Sequence, residues 1–371
     1  MKRAAILTLS LHTNYGGILQ AYALQTVLDS LGCQTDVLCK NEKPLHPWKK
    51  KLTRMYKKYI LGRKNVEVST RATYRKAFRV RVYTEQFIRK QISRRRIYNL
   101  KDLDRNSYDV FVVGSDQVWR PKYFSTWYGG IEGAFLDFAQ DWNVRRISYA
   151  ASFGVSGWEY DRAETLRCAE LIRDFDAVSV REDSAVELCR EYLGCNEAVH
   201  VLDPTMLLTK EHYTDLACHV PQYEGNLMCY ILDRDERSEG MVRSLASVLS
   251  LDPFYTGSKV EDSSASDDDR VQPPVETWLA GFRDARCVLT DSFHACVFSI
   301  IFNRPFFVIG NLKRGNARFD SLLSMFGLED RLISDADQIK YASDIDWDRV
   351  NAILEAKRND SLEFLKKGLN D

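Results

Sequence analysis

A short polar stretch near the end of the chain, Thr290 to His294, interrupts two apolar segments. The residues before it predict a buried β-strand, and Ala295 to Phe302 predict a buried helix. In open α/β sheets, ligands bind where the carboxyl end of a strand meets the amino end of a helix. That position favours anions, and a histidine there can donate or accept a proton near neutral pH. The stretch therefore predicts an anion site with His294 as its acid or base.

Other polar residues follow predicted strands in the first half of the chain. They are Asn14, Tyr15, Gly16, Asp116, Gln117, Trp119 and Arg181. Gly16 lets the backbone approach a ligand closely. Asp116 can accept a proton or hydrogen bonds from hydroxyl groups, and Trp119 can stack on the face of a ligand. Because the carboxyl ends of parallel strands share one edge, these side chains are expected to face the same cleft.

Strands and helices alternate along the 371 residues, which predicts an α/β fold with more than one domain. We expect a first domain over residues 1–205, a second over 206–335, and a C-terminal helix over 336–371 that packs back on the first. The stretch 258–274 is acidic, rich in serine and bounded by proline, which predicts a mobile loop.

Composition narrows the class of protein further. The formal net charge is zero and no nucleic-acid motif is present, so a nucleic-acid partner is not expected. The nine cysteines are scattered without paired spacing, which disfavours zinc and indicates a reducing compartment. The apolar run at the N-terminus is too short for a signal peptide, and no run is long enough to span a membrane. We therefore expect a cytoplasmic protein without a bound metal.

Lysine and arginine dominate a segment at about 48–100, which we interpret as a basic helical insertion in the first domain. Two interpretations of its charge remain open. It is either a solvated helical face that packs through an apolar stripe, or a surface that contacts anionic lipid head groups or a lipid-linked substrate at the inner face of a membrane.

Five motifs occur together in one order: NYGGILQAYALQ, GSDQVW, SVREDSA, VLDPTML and TDSFHACVFSIIFNRPF. In this order they resemble the polysaccharide pyruvyl transferase family. The resemblance implies a fold similar to GT-B glycosyltransferases, with two Rossmann-like domains facing across a cleft. It also implies transfer of pyruvate from phosphoenolpyruvate to a sugar of a capsule, wall or exopolysaccharide precursor, which forms a cyclic ketal. Phosphoenolpyruvate is then the donor substrate, and no cofactor is required.

The resemblance also assigns roles to residues. His294 matches the motif histidine and is the expected general acid, with Asp116 as a candidate base; Arg181 is expected to bind the donor. Ser292 stands where better-known members have an arginine, so another donor-binding cation is needed. The candidates from the following basic loop are Lys313, Arg314 and Arg318. The acceptor is expected to contact Asn14, Tyr15, Gly16, Gln117 and Trp119.

Two other functions fit the same architecture. One is a glycosyltransferase that uses a nucleotide sugar bound to the second domain. The other is a non-catalytic member that binds a saccharide without turnover, which the serine at position 292 would favour.

Overall fold

The computed structural model describes residues 1–41, 55–56, 70–260, 262, 264–310, 316–341 and 344–370. Two parallel sheets organise this part of the chain. The strands of the first sheet are β1 (Lys2–Leu7), β2 (Cys33–Lys40), β3 (Arg94–Ile97), β4 (Val110–Val113), β5 (Arg145–Ala151), β6 (Ala177–Val180) and β7 (Val199–His200). Their spatial order is β3-β2-β1-β4-β5-β6-β7, so the direction in which strands are added reverses between β1 and β4.

Both faces of the first sheet are buried. Val110 and Val112 of β4 belong to one apolar cluster, whereas Phe111 and Val113 belong to another on the opposite face. Strands with two buried faces read as continuous apolar runs, and β4 is four consecutive apolar residues. The helices of this region are α1 (Tyr15–Ser30), α2 (Thr70–Val80), α3 (Val82–Gln91), α4 (Pro121–Tyr128), α5 (Arg162–Leu171) and α6 (Asp183–Leu193).

The second sheet has five strands in the order β12-β11-β10-β8-β9. They are β8 (Leu227–Tyr230), β9 (Pro253–Tyr255), β10 (Cys287–Thr290), β11 (Phe306–Ile309) and β12 (Leu332–Ile333). The associated helices are α7 (Lys210–Leu216), α8 (Glu236–Leu249), α9 (Val275–Asp284), α10 (Phe293–Ile301) and α11 (Ala317–Phe326). The two sheets with their helices form a two-domain α/β fold, as the sequence predicts.

The last helix, α12 (Trp347–Asn370), lies against the first sheet although it follows the second in sequence. A Cβ atom at Gly368 would lie 3.2 Å from Ile147 on β5, so the helix approaches that strand closely. Ser361 accepts a hydrogen bond from the backbone N–H of Leu202, at 3.1 Å. The C-terminal helix therefore packs against β5 and against Leu202, which lies between the last strand of the first sheet and the first strand of the second.

The acidic segment that was expected to be mobile is instead packed against the first domain. We call its residues 264–274 the acidic strap. Asp267 forms an ion pair with Lys76 of α2 at 2.9 Å, and Asp268 forms one with Arg79. The N–H of Gln272 donates to the carbonyl of Val80 at 2.8 Å. The negative charge of the acidic strap is therefore paired with basic residues of α2, a contact that composition alone does not predict.

Among the residues that the structure describes, no helix is both long and apolar enough to cross a bilayer. Residues 48–54 and 57–69 of the predicted basic insertion lie outside the described residues, so its two interpretations stay open.

Candidate functional site

Charged side chains from both domains meet where the strands end. Asp116 follows β4, Arg181 follows β6 and Asp203 follows β7, while His294 lies in the first turn of α10 in the second domain. These four residues are each buried to more than nine-tenths. Buried charges are costly unless they are paired, so these four residues must pair with one another or with a ligand.

Arg181 is the central cation of this group. Its Nη1 atom donates to Asp203 Oδ2 at 2.9 Å, and its Nη2 atom lies 3.4 Å from Asp116 Oδ1. Burial opposes the charge of the guanidinium, but Asp203, Asp116 and Glu182 outweigh burial and raise its pKa. Arg181 is therefore always charged, although none of the described residues accepts a hydrogen bond from its buried Nε atom.

His294 reaches across the domain boundary to the same aspartate. Its Nε2 atom lies 3.5 Å from Asp203 Oδ2, an ion-pair distance when the ring is protonated. Burial opposes the ionisation of Asp203, but His294, Arg181 and Thr205 hold its pKa well below the usual range. The contact is electrostatic, because Nε2 of His294 has no hydrogen-bond partner among the described residues.

The imidazole occupies the space beside Gly16. A Cβ atom at that position would overlap the ring of His294, since the glycine lies in the first turn of α1 directly against it. Gly16 was predicted to let a backbone approach a ligand. In this structure it lets the first domain approach the histidine of the second.

A second guanidinium lies next to this group. Arg318, in the first turn of α11, has its Cζ atom 5.6 Å from the centre of the Phe293 ring, and Arg181 approaches the same ring at 4.6 Å. Burial and the charge of Arg181 lower the pKa of Arg318 to about 10. Among the described residues none accepts a hydrogen bond from its buried Nε atom. Arg181, which is buried, and Arg318, which is half-buried, thus each keep an Nε donor that no described residue uses.

The backbone at the end of β4 directs Asp116 towards these cations. Asp116 has a φ angle of 63°, in the left-handed region that is uncommon for residues other than glycine. Its own carbonyl accepts hydrogen bonds from the N–H groups of Val118 and Ser152, at 2.7 and 3.1 Å. These bonds offset the cost of the conformation and hold the carboxylate beside Arg181.

The remaining predicted residues lie at different distances from this cluster. Asn14 caps α1 by accepting a hydrogen bond from the N–H of Gly17. The side-chain oxygen of Gln117 accepts a hydrogen bond from Arg120 at 3.2 Å. Ser292 is buried directly before α10, and its N–H donates to the hydroxyl of Thr290. Lys313 and Arg314 lie outside the described residues.

Two predicted acceptor contacts are not supported by the structure. Trp119 is fully enclosed, stacks on Phe135 at 5.0 Å and donates to the carbonyl of Ala134, so it offers no face to a sugar. Tyr15 is also fully buried, and its hydroxyl donates to the carbonyl of Pro273 in the acidic strap at 2.7 Å. Both residues complete the protein interior, because aromatic rings after a strand end serve packing as readily as recognition.

Two members of the cluster, Asp203 and Glu182, were not predicted from the sequence as site residues. Asp203 contacts both Arg181 and His294. Glu182 is fully buried and accepts hydrogen bonds from the Ser152 hydroxyl and the Gly154 N–H, while its second oxygen has no partner among the described residues. Both residues directly follow short strands, and this position is the feature of the sequence that could have identified them as site residues.

No set of three or more metal-ligating side chains occurs in the part of the chain that the structure describes. The charges at the site are instead those of two arginines, a histidine and the carboxylates around them, which suits a small anionic ligand.

Comparison with known families identifies the chain. A profile of the polysaccharide pyruvyl transferase family matches residues 14–313, which include Asp116, Arg181 and His294. The chain belongs to this family. A search of curated protein sequences returned no match.

Solved structures place this pyruvyl transferase family member in a known architecture. It is similar to UGT89C1 of Arabidopsis thaliana in complex with UDP-L-rhamnose, with 9% identity, coverage of 99% of both chains and a TM-score of 0.50. It is also similar to the UDP-GlcNAc 2-epimerase of Neisseria meningitidis, with 9% identity, coverage of 100% of this chain and 99% of the other, and a TM-score of 0.50. At this identity the likeness shows the fold alone, which is the GT-B architecture.

The contact between Gly16 and His294 yields a prediction for the activity of this protein. We expect Gly16→Ala to push the imidazole away from Asp203 and to reduce activity by about 100-fold, since small displacements of a catalytic group have effects of that size. The neighbouring Gly17→Ala is the matched control. Its added Cβ atom would lie 3.6 Å from Asn14 Cγ and Asp116 Oδ2, an ordinary contact.

Both glycine variants should be compared by initial rate and by melting temperature. A Gly16→Ala protein as active as Gly17→Ala would show that the position of His294 against α1 has no part in turnover.

Proposed function

We propose that the protein transfers the pyruvyl group of phosphoenolpyruvate to two hydroxyls of a saccharide, which forms a cyclic ketal and releases phosphate. The observation that carries this proposal is that Arg181 and Arg318 both lie against the ring of Phe293, next to His294, and that each keeps a buried Nε donor without a partner among the described residues. The family fits the activity in general, and the donor and product are our inference.

The electrostatics of the two arginines favour a multiply charged anion. The pKa of Arg318 is lowered to about 10 by burial and by Arg181, which means that its charge is destabilised in the free protein. An anion that bound between the guanidinium groups would remove this repulsion and use their free donors. Phosphoenolpyruvate offers a phosphate and a carboxylate for the two cations. Arg318 then supplies the charge that Ser292 does not.

The reaction begins with a proton. His294 in its protonated form would give this proton to the methylene carbon of phosphoenolpyruvate, which leaves cationic character on the carbon that carries the phosphate. A sugar hydroxyl attacks this carbon as Asp116 accepts its proton. Phosphate then leaves, and a second hydroxyl completes the ketal. One hydroxyl proton replaces the proton lost by His294, and the other leaves with phosphate.

Asp203 would act through the histidine. Its carboxylate lies 3.5 Å from Nε2 of His294, so it stabilises the imidazolium before the proton is given up. The saccharide would approach from the first domain, where Asp116 and the N-terminus of α1, which Asn14 caps, lie at the same sheet edge. A lipid-linked acceptor and contact of the basic region with a membrane surface remain part of this proposal.

The non-catalytic alternative predicts that the cleft is filled by protein side chains. Trp119, the residue most suited to fill it, lies in the core of the first domain. The presence of a buried histidine, a carboxylate partner and two arginines that each keep an unused Nε donor among the described residues favours the enzyme, because such a cluster costs stability that a ligand would offset.

Binding of phosphoenolpyruvate tests the proposal directly. Isothermal titration calorimetry should show binding at millimolar or lower concentration. We expect Arg318→Met to weaken this binding by about 10- to 100-fold, the usual value of a charge-assisted hydrogen bond. The same variant should keep or raise the melting temperature of the free protein, because it removes a half-buried charge whose Nε atom has no hydrogen-bond partner among the described residues.

The control variant is Arg190→Met, whose side chain is exposed on α6 and pairs only with Glu187 among the described residues. It should bind phosphoenolpyruvate as the wild type does. Absence of any binding to the wild-type protein at millimolar concentration would overturn the proposed donor.

A further inference from the structure

The acidic strap crosses the boundary between the two domains. It belongs to the connection between β9 and α9 of the second domain, and it contacts α1 and α2 of the first. The hydroxyl of Tyr15, the first residue of α1, donates to the carbonyl of Pro273. A segment that is anchored in one domain and docked on the other limits how far the cleft between them can open.

Gln272 is the buried centre of this contact, with 2% of its surface exposed. Its backbone N–H donates to the carbonyl of Val80 at 2.8 Å, and its side-chain nitrogen donates to the carbonyl of Thr13 at 3.1 Å. Both of these acceptors belong to the first domain. Its side-chain oxygen accepts a hydrogen bond from the hydroxyl of Ser258 in the second domain. Gln272 therefore ties the second domain to the loop before α1 and to the end of α2.

The outer part of the contact is ionic and reaches solvent. Lys76 of α2 pairs with Asp267 at 2.9 Å. Arg79, about one helical turn later, pairs with Asp268. Each of these four side chains is at least 34% exposed. Exposed ion pairs contribute little individually and are screened by salt, so this part of the contact is the one that opens at low cost.

The strap docks beside the candidate base. Thr13, which Gln272 contacts, directly precedes Asn14, and the Asn14 side chain caps α1. A Cβ atom at Gly17 would lie 3.6 Å from both Asn14 Cγ and Asp116 Oδ2, so the start of α1 and the Asp116 carboxylate border one space. The saccharide is expected to approach from this side, and the docked strap forms one boundary of it.

A different contact holds the domains together deeper in the interface. The ring of Tyr15 lies 5.3 Å from that of Trp278 on α9 and 6.0 Å from that of Tyr230 at the end of β8. All three side chains are buried. Packing between aromatic rings does not depend on ion pairs that salt would screen. The strap can therefore undock while the two domains stay joined.

We propose that the acidic strap is an ionic latch on the saccharide side of the cleft. Docked on α2, it narrows that side. Released, it gives up the hydrogen bonds of Gln272 to Thr13 and Val80 and widens the way to Asp116. The two ion pairs set the balance between the docked and released states, so this balance shifts with salt. The latch is independent of the donor, and only its consequence for the saccharide rests on the proposed function.

Hydrogen–deuterium exchange at the backbone amide of Gln272 measures the released state, because its acceptor on Val80 belongs to the other domain. We expect this amide to exchange about tenfold faster in the double variant K76E/R79E than in the wild type, since two ion pairs are replaced by repulsion. Raising NaCl from about 0.05 M to about 1 M should speed exchange in the wild type and slow it in the variant, because salt screens attraction and repulsion alike.

The matched control is the double variant R167E/R190E. It makes the same change in net charge at two arginines of the first domain that pair within their own helices, with Glu170 and Glu187. Its Gln272 amide should exchange as in the wild type. The charge swap K76D/R79D/D267K/D268K restores opposite charges in exchanged positions. It should return the exchange rate to within about threefold of the wild type.

The outcomes decide for or against the latch. If K76E/R79E and R167E/R190E exchange equally at Gln272, or if the charge swap stays as fast as K76E/R79E, the ion pairs do not control the strap and the inference is wrong. Faster exchange throughout the chain, with a lower melting temperature, would also overturn it, because the whole fold would then have loosened. Failure of phosphoenolpyruvate to bind the wild type would overturn the proposed donor and leave the exchange result standing.

Discussion

His294→Ala is expected to lower the rate of pyruvyl transfer by at least about 100-fold, the usual contribution of a general acid. The side chain is the one group at the described site that can both hold a proton near neutral pH and reach the donor from the second domain. The substitution should leave the fold intact, because it removes atoms and adds none beside Gly16. The rate can be followed as phosphate release from phosphoenolpyruvate in the presence of acceptor, and the fold by circular dichroism.

The matched control for this variant lies on the same helix. The hydroxyl of Ser299 donates only to the carbonyl of Ala295, four residues earlier in α10. Ser299→Ala should therefore have wild-type activity within about twofold, since exchange of such a bond within a helix has a small effect. If His294→Ala turned over at nearly the same rate as Ser299→Ala, His294 could not be the acid.

Asp203→Asn should cause the largest loss of stability. The carboxylate is buried between Arg181 and His294, and its replacement leaves the guanidinium with one ion-pair partner fewer. Removal of one member of a buried ion pair costs about 3–5 kcal/mol in the free energy of unfolding. Chemical denaturation measures this loss. Glu187→Gln, which breaks an exposed pair with Arg190, should cost less than about 1 kcal/mol.

The effect of Asp203 should also depend on pH. Its pKa in the folded protein lies well below that of an aspartate in an unfolded chain, about 3.9. The carboxylate therefore stabilises the fold fully above that value, and its contribution is lost as the pH falls towards the folded pKa. The difference in stability between the wild type and Asp203→Asn should shrink as the pH is lowered from about 5 to about 2. A difference that stayed constant over this range would mean that the charge of Asp203 is not the cause.

The sequence predicts the architecture well because the strands are short apolar runs bounded by polar turns. β4 and β10 are examples: each is four residues long and fully buried, and each is followed by a residue of the site, Asp116 or His294. Since parallel strands end at a common edge, their trailing residues could be placed together without knowledge of the packing.

Other features depend on contacts that no local pattern contains. Whether Arg318 or a neighbouring cation reaches the site depends on where α11 begins and on its approach to Phe293. The role of Asp203 depends on the docking of the second domain, which brings His294 within 3.5 Å. Trp119 was predicted to contact the acceptor, but it packs on Phe135 in the core. A tryptophan after a strand has the same local sequence pattern whether it packs inwards or faces a ligand.

The acidic strap shows the same limit for charge patterns. Its composition is that of a mobile loop, but Asp267 and Asp268 find Lys76 and Arg79 about two hundred residues earlier in the chain. The basic and acidic segments are far apart in the sequence, whereas the fold places them in contact.

A crystal structure of the protein with phosphoenolpyruvate bound is the most direct test of the central claim. The account predicts that the phosphate and carboxylate contact Arg181 and Arg318, and that the methylene carbon lies about 3–3.5 Å from a ring nitrogen of His294. Phosphoenolpyruvate bound elsewhere, with His294 out of reach of the methylene carbon, would contradict it.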